Sequence, residues 1–482
     1  MKHYDKIYIG GEWVTPSTNN IREIVNPTTG EVIATTCQGN AIDVDRAAHA
    51  ARAAFESFSK STPVERAEII DRIIVAYEKR TEEFSQTIAI EAGIPVSSKA
   101  QVHGPLDHMQ VAKELLLSYP FERRIAETVV RREAVGVTAQ ISPWNWPIQT
   151  PVIKFIYALA AGCTSVVKPS DNSPLCALLL AEVMHEAEVP PGVFNLVVGK
   201  GYVVGEAMAS HPDIDLISFT GSTGAGARVA ETAARTIKRT SLELGGKSAN
   251  IVLPSADIEK AARWNIQRCF FNTGQSCHAP SRMLVHRDQL EEALGYLADE
   301  AAKYVIGDPS DPSTTLGPAA NLAQFETIQR YIQSGIDEGA RLVCGGTGLP
   351  EGLTQGLFVR PTVFADVTPD MAISREEIFG PVLSVITYET VDEALEIAND
   401  SIFGLGGYVF GGNPEEDYEV CSALRAGRIA YNGFATNSLT PMGGYKQSGI
   451  GRSMGVFGLE EYLEIKSVYG FGEHASSLSS II

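Results

Sequence analysis

Three residues stand where side chains of their type could do chemistry. Cys277 lies in FNTGQSCHAPSR (271–282), a turn containing Gly and Ser that follows a Phe-rich run. Such a turn can present a thiol to a cleft, and backbone N–H groups beside it lower a thiol's pKa. Glu243 sits between Leu242 and Leu244 in LELGGKS (242–248). A carboxylate flanked by leucines at a strand end is poorly placed for a solvated charge, and burial would raise its pKa toward the range of a general base. Asn145 stands in SPWNWP (142–147), between two tryptophans and two prolines. A side-chain amide on so constrained a turn can donate to an oxyanion. Taken singly, each has a commoner structural role, as a core cysteine, a capping glutamate or a turn asparagine.

The elements that must position them alternate. AVGVTAQIS (134–142) reads as a buried strand and 148–161 as a helix. TSVVKPS (164–170), VFNLVV (193–198) and DLISFT (215–220) are further strands, separated by helices over 174–187 and 202–210. GSTGAG then reads as a turn, 227–237 as a helix, and RTSLELG (239–245) closes the series. Strand–helix alternation with short turns means right-handed βαβ units and a parallel sheet. A second alternating block, from 249 to about 430, predicts a second α/β domain. Upstream, DVDRAAHAARAAFESF (43–58) carries one apolar helical stripe with Asp43 as its expected cap, and helical periodicity continues over 64–91. FERRIAETVVRREAVGV (121–137) and LEIKSVYGF (463–471) alternate charged and apolar residues like exposed strands, which suggests a surface hairpin or an arm that pairs with another subunit.

Composition sets outer bounds. A chain of 482 residues implies two or three domains and a core large enough to need no disulfides. A formal net charge of −19 argues against nucleic acid and anionic membranes as partners, because both demand basic patches. No run approaches the length of a membrane span, and Met1 to Trp13 has no signal-peptide pattern. Seven widely spaced cysteines without a C-x-x-C predict neither a disulfide framework nor a metal site, and favour a reducing, cytoplasmic setting.

With these motifs in view, the chain closely resembles the NAD(P)-dependent aldehyde dehydrogenase superfamily. LELGGKSA matches that family's glutamate signature, and F-x-x-x-G-Q-x-C (Phe270 to Cys277) matches its nucleophile signature, with Glu243 and Cys277 34 positions apart. SPWNWP, VVKPSDNSP (166–174), FTGSTGAG (219–226), EEIFGP (376–381) and PMGGYKQSGIGR (441–452) follow in family order, so the resemblance covers essentially the whole chain. It implies two Rossmann-like α/β domains and a small β oligomerisation arm. The cofactor-binding domain would comprise 1–120 and 138–244 with 441–459 returning to it, the catalytic domain 245–440, and the arm 121–137 with 460–482.

The resemblance also implies roles. Cys277 would attack the aldehyde carbon, and the Asn145 amide with the Cys277 N–H would hold the tetrahedral oxyanion. Hydride would pass to nicotinamide, and Glu243 would activate the water that hydrolyses the thioester, with Lys154 relaying protons. Lys168 and Asp171 match the positions that contact the adenosine ribose. Gly221, Ser222, Thr223 and Gly226 match the turn beneath the pyrophosphate, where helix N–H groups favour anions. Glu377 and Phe379 match the residues that hold the nicotinamide ribose and ring. Ser142, Trp144, Ser170, Gly201, Gly205, Phe219, Leu244 and Gly245 complete the cofactor positions. The substrate tunnel would be lined by Trp146, Thr150, Ile153, Ser276, His278, Thr436 and Met442.

Three departures qualify this expectation. His278 stands where the family has a small or aliphatic residue; it could tune the thiolate, line the pocket or point away. Asp171 replaces a common glutamate, and its charge favours NAD while leaving NADP possible. Ser453 stands where GRE is frequent, which leaves Glu243 as the clear base. No arginine is evidently positioned for an anionic semialdehyde, so a neutral aromatic or medium aliphatic aldehyde is the default and a catabolic semialdehyde the alternative. A CoA-acylating member is disfavoured by the presence of Glu243, and a silent binding protein by Cys277 and Asn145. A homodimer or homotetramer is expected, without metal.

Overall fold

In the computed structural model, residues 2–471 are described. Two sheets dominate. The first runs, edge to edge, through Gly449–Ile450, Arg239–Glu243, Leu216–Thr220, Val137–Ile141, Thr164–Lys168, Phe194–Leu196, Ile7–Ile9 and Glu12–Val14. Its five central strands are parallel. Among these five the chain starts at Val137–Ile141, winds outward in one direction, then returns to the other side of that strand with Leu216–Thr220. That reversal creates a crevice at the carboxyl ends of the two strands. Helices cover both faces, which is why the strands read as continuous apolar runs. Gln149–Ala161 and Leu175–Glu186 pack on one face, and Ala41–Phe58 and Thr223–Ala234 on the other.

The second sheet orders Arg341–Cys344, Thr362–Ala365, Val382–Tyr388, Arg282–His286, Ala249–Val252, Gly406–Phe410 and Arg428–Tyr431. All its pairings are parallel except the first. Residues 244–248 lead from the carboxyl end of Arg239–Glu243 directly to the amino end of Ala249–Val252. That short passage sets the carboxyl edge of one sheet against the amino edge of the other, and the candidate site lies between them.

Glu122–Ile125, Thr128–Ala134 and Leu463–Tyr469 form a separate three-stranded antiparallel sheet. The two strands expected to be exposed therefore pair with each other within one chain, and the part of the expected arm over 472–482 lies outside the described residues.

Several local expectations are corrected. Asn40, not Asp43, caps the first helix, and Asp43 is the N3 partner that closes the capping box. The helix after Leu216–Thr220 begins at Thr223, with Ser222 as its cap, so the last four residues of the expected GSTGAG turn are helical. The strand expected over 134–142 is broken at Val135 and Gly136, with Ala134 ending one strand and Val137 opening the next. The helix Ala100–Ser118 falls where no element was expected, because Gly104 and Pro105 interrupt its pattern.

Candidate active site

Cys277 follows the tight turn Phe271–Gly274. Asn272 and Thr273 have φ near +56° and +57°, a left-handed conformation costly for residues with a Cβ. Hydrogen bonds hold them there. Thr273 Oγ1 donates to Gly317 O (3.1 Å), Gln275 Nε2 to Asn272 O (3.1 Å), and Ala320 N to Gln275 Oε1 (2.9 Å). A Cβ on Gly274 would lie 2.0 Å from Gly380 O, and one on Gly246 2.3 Å from Cys277 O. The Gly-Gly of LELGGKS is thus a close approach of two backbones that seats the cysteine turn beside the glutamate.

Cys277, Glu243, Asn145 and Lys154 all lie on the wall of one cavity of about 650 Å³. Asn145 Nδ2 donates to Gln275 O (2.9 Å), and the Asn145 carbonyl accepts from Gln101 Nε2 and Asn272 Nδ2. Only one of the two amide hydrogens is used in that bond, so the second is free to serve the cavity. Glu243 ends its strand and accepts a hydrogen bond from Ser453 Oγ. Burial raises its pKa, and Lys154 nearby opposes the shift. Lys154 is buried on Gln149–Ala161 and donates from Nζ to Ser218 Oγ (2.8 Å); burial depresses its pKa to about 8.

Burial pushes the Cys277 thiol up to about 12, with the charges of Glu377 and Glu243 adding to the rise. The resting nucleophile is therefore a neutral thiol that needs a base, and Glu243 has the right chemistry on the same wall. His278 Nδ1 is 4.0 Å from Cys277 Sγ. Burial, then Arg428 and Arg268, press its pKa down to about 4, so the ring is neutral near pH 7 and lines the cavity.

Trp146, Thr150, Ile153, Thr436 and Met442 share that wall, whereas Ser276 lines an adjoining recess. Several wall residues escaped the sequence reading, among them His103, Asp107 and His108 on Ala100–Ser118 and two arginines, Arg268 and Arg428. The arginines' positions in the chain carry no motif, and only tertiary folding brings them within reach of Cys277. The absence of an evident arginine in the sequence is thus corrected by the structure.

At the other end of the cavity, Trp144, Gly221, Ser222, Leu244, Gly245, Glu377 and Phe379 form the wall. Glu377 Oε1 accepts from Gly246 N (3.0 Å), and burial lifts its pKa to about 7. Trp144 meets Phe379 edge to face, centroids 5.4 Å apart. Ser142, Lys168, Ser170, Asp171, Gly201, Gly205, Phe219, Thr223 and Gly226 lie off this wall. Gly201 and Gly205 bracket a single π turn before Glu206–Ser210, and Phe219 and Gly226 are buried. Thr223 Oγ1 donates to Gln447 O (3.3 Å), and Ser170 Oγ accepts from Asn172 N (3.2 Å). Lys168 Nζ is buried and donates to Pro169 O (2.6 Å), with its pKa brought down to about 8 by burial. Arg22 Nη1 pairs with Asp171 at 3.0 Å, a contact between distant segments that no motif announces.

Comparison with known proteins gives concordant likenesses. A sequence model of the aldehyde dehydrogenase family matches residues 13–468. A 3-succinoylsemialdehyde-pyridine dehydrogenase from a Pseudomonas species is 46% identical over 98% of this chain and 99% of its own. The crystal structure of a cysteine-to-alanine mutant of aldehyde dehydrogenase C from Pseudomonas syringae, with NAD+ and octanal, superposes with a TM-score of 0.96 at 50% identity, covering 97% of each chain. A Mycobacterium tuberculosis aldehyde dehydrogenase complexed with NAD+ gives a TM-score of 0.94 at 39% identity, over 97% of this chain and 98% of that one.

Proposed function

The chain belongs to the aldehyde dehydrogenase family, and from that premise we propose that it oxidises an aldehyde to its carboxylic acid with NAD, through a thioester on Cys277. The observation that carries the reading is the convergence of Cys277, Glu243 and Asn145 on one cavity at the switch point of a doubly wound sheet.

The residues present fit the dinucleotide. Ser142 Oγ is buried without a hydrogen-bond partner, which marks a polar group awaiting one. The helix Thr223–Ala234 opens at the carboxyl end of Leu216–Thr220 and offers N–H groups to phosphate. Lys168 and Asp171 would hold the adenosine ribose, and Glu377 and Phe379 the nicotinamide end. When bound, NAD supplies the hydride acceptor. Asp171 disfavours a 2′-phosphate, although Arg22 offsets part of its charge.

The chain's own residues do the rest. Glu243 takes the Cys277 proton, and the thiolate adds to the aldehyde carbon. The second N–H of Asn145 and the Cys277 N–H receive the oxyanion, where a preorganised donor is worth most. Glu243 then activates water against the thioester, and Lys154 with Ser218 gives its proton a path inward. The apolar surfaces of Trp146, Ile153, Phe271 and Met442 suit an aliphatic or aromatic substrate body. The same residues support thiol-dependent ester hydrolysis as a side activity.

The outward edges of the Glu122–Ile125, Thr128–Ala134 and Leu463–Tyr469 sheet, with Ile465 and Tyr469 exposed, support assembly into a homodimer or homotetramer. No helix among the described residues is long and apolar enough to cross a membrane, and the absence of any motif for disulfide pairing supports a cytoplasmic setting.

The test is a panel of aldehydes assayed with NAD and with NADP by the absorbance of the reduced cofactor. Turnover with NAD exceeding that with NADP supports the reading; no reduction with any aldehyde defeats it.

A further inference from the structure

Beyond Cys277 the cavity opens into a narrow recess lined by Trp264, Arg268, Ser276, His278, Tyr408 and Arg428. Arg268, His278 and Arg428 belong to the walls of both. Arg428 opens the strand Arg428–Tyr431, and its Nη1 lies 2.8 Å from Met442 Sδ. Arg268 comes from the last turn of Ile258–Phe270 and lies over the Trp264 ring at 6.0 Å. Among the described residues, neither guanidinium has a carboxylate at ion-pair distance, although the chain carries 58 acidic residues against 39 basic ones. Other buried arginines without a carboxylate spend their donors on backbone carbonyls, as Arg282 does on Lys247 O, Ile397 O and Ala398 O.

Arg428 is half-buried with a second cation beside it and no counter-charge, an arrangement that costs free energy. Burial, and the charge of Arg268, press the Arg428 pKa down, while Glu243 and Cys277 oppose that shift. His278 is held neutral here and adds no third charge. Tyr408 OH is spent on His278 O (2.7 Å). Ser276 Oγ is 95% buried in the same recess and has no hydrogen-bond partner. The recess thus holds two unpaired guanidinium groups and one unsatisfied hydroxyl, all on the substrate side of the nucleophile.

We propose that this recess binds a carboxylate at the far end of the substrate, so that the preferred substrates are ω-oxo acids whose aldehyde reaches Cys277 while Arg428, Arg268 and Ser276 hold the other terminus. This rests on the aldehyde-oxidising reading above and narrows its substrate class. Guanidinium groups suit a carboxylate because their donors form a planar fork that matches its two oxygens. A cationic recess also concentrates an anionic substrate in an otherwise acidic protein.

The experiment pairs succinic, glutaric and adipic semialdehydes with butanal, pentanal and hexanal, each assayed with NAD on the wild-type enzyme, R428M and R268M. At least one acid should exceed its neutral partner in kcat/KM by about tenfold or more, the worth of one charge-assisted hydrogen bond. Each variant should lower that acid-to-neutral ratio by about 10- to 100-fold, and raised ionic strength should lower it in the wild type. Arg268 is exposed and makes only a ring contact, so R268M keeps the test open even if R428M does not fold. Equal kcat/KM for acids and neutral partners in the wild type would overturn the proposal. So would equal losses for both series in the variants, which would mean that Arg428 acts on the Cys277 thiol and not on the substrate. Failure to oxidise any member of either series would overturn the aldehyde-oxidising reading itself.

Discussion

Asn145 Nδ2 donates to the carbonyl of Gln275 at 2.9 Å, which ties an amide on the first sheet's carboxyl edge to the turn that carries Cys277 two residues later. The bond runs between segments 130 positions apart and spends one of the two amide hydrogens. The same side chain therefore fixes the nucleophile's turn and faces the cavity. Asn145→Ala should lower kcat by about 10²–10³-fold, the usual loss on removing an oxyanion donor. Single-turnover kinetics should show the loss in acylation; a loss confined to KM would contradict the role.

Cys277→Ala should abolish both dehydrogenase and esterase activity while leaving NAD binding measurable by calorimetry. Cys269→Ala is the control. That cysteine lies on the buried face of Ile258–Phe270 and donates only to Val382 O (3.6 Å), so its loss should cost stability and spare turnover. Near-normal rates in Cys277→Ala would exclude the covalent path.

Glu243→Gln keeps the side chain's shape and removes the base. It should still give a burst of reduced cofactor near one equivalent per site, followed by a steady rate lower by about 10²–10⁴-fold. Because Glu243 also takes the Cys277 proton, that burst should form slowly and recover its rate at higher pH, as the thiolate forms unaided. A full steady rate in this variant would assign water activation to another group.

The pH profile has a definite sign. The thiol is pushed up to about 12 and the Glu243 carboxyl is raised, so the thiolate and the ionised base both grow as pH rises. Between about pH 6 and about pH 9, kcat/KM and inactivation by iodoacetamide should therefore climb together. A flat profile for both would mean that the thiol is already ionised.

Gly246→Ala should separate packing from chemistry. Its Cβ would sit 2.3 Å from the Cys277 carbonyl, so the nucleophile must move, and a shift of about 1 Å can cost on the order of 10²-fold in rate. Gly295→Ala, in the helix Leu290–Ala301 with nothing within 4 Å, should instead raise stability by roughly 0.5–1 kcal/mol and leave rate alone. Thermal melts and steady-state rates on both variants read the contrast.

The sequence by itself determined the two α/β blocks, because strands buried on both faces must be continuous apolar runs and the helices between them must carry apolar stripes. Cys277, Glu243 and Asn145 were legible for a related reason. Each sits in a local motif whose glycines, prolines or tryptophans impose a special backbone, as the contacts of Gly246 and Gly274 explain. Only the tertiary structure decided what meets across long separations. It joined Thr128–Ala134 to Leu463–Tyr469, set Arg22 against Asp171, and brought Arg268 and Arg428 to the wall beside Cys277. A long arginine side chain on a helix end or a strand leaves no periodic trace of where its guanidinium ends. Where it ends depends on the packing of distant segments, and in this protein that packing decides what lies at the far end of the substrate cavity.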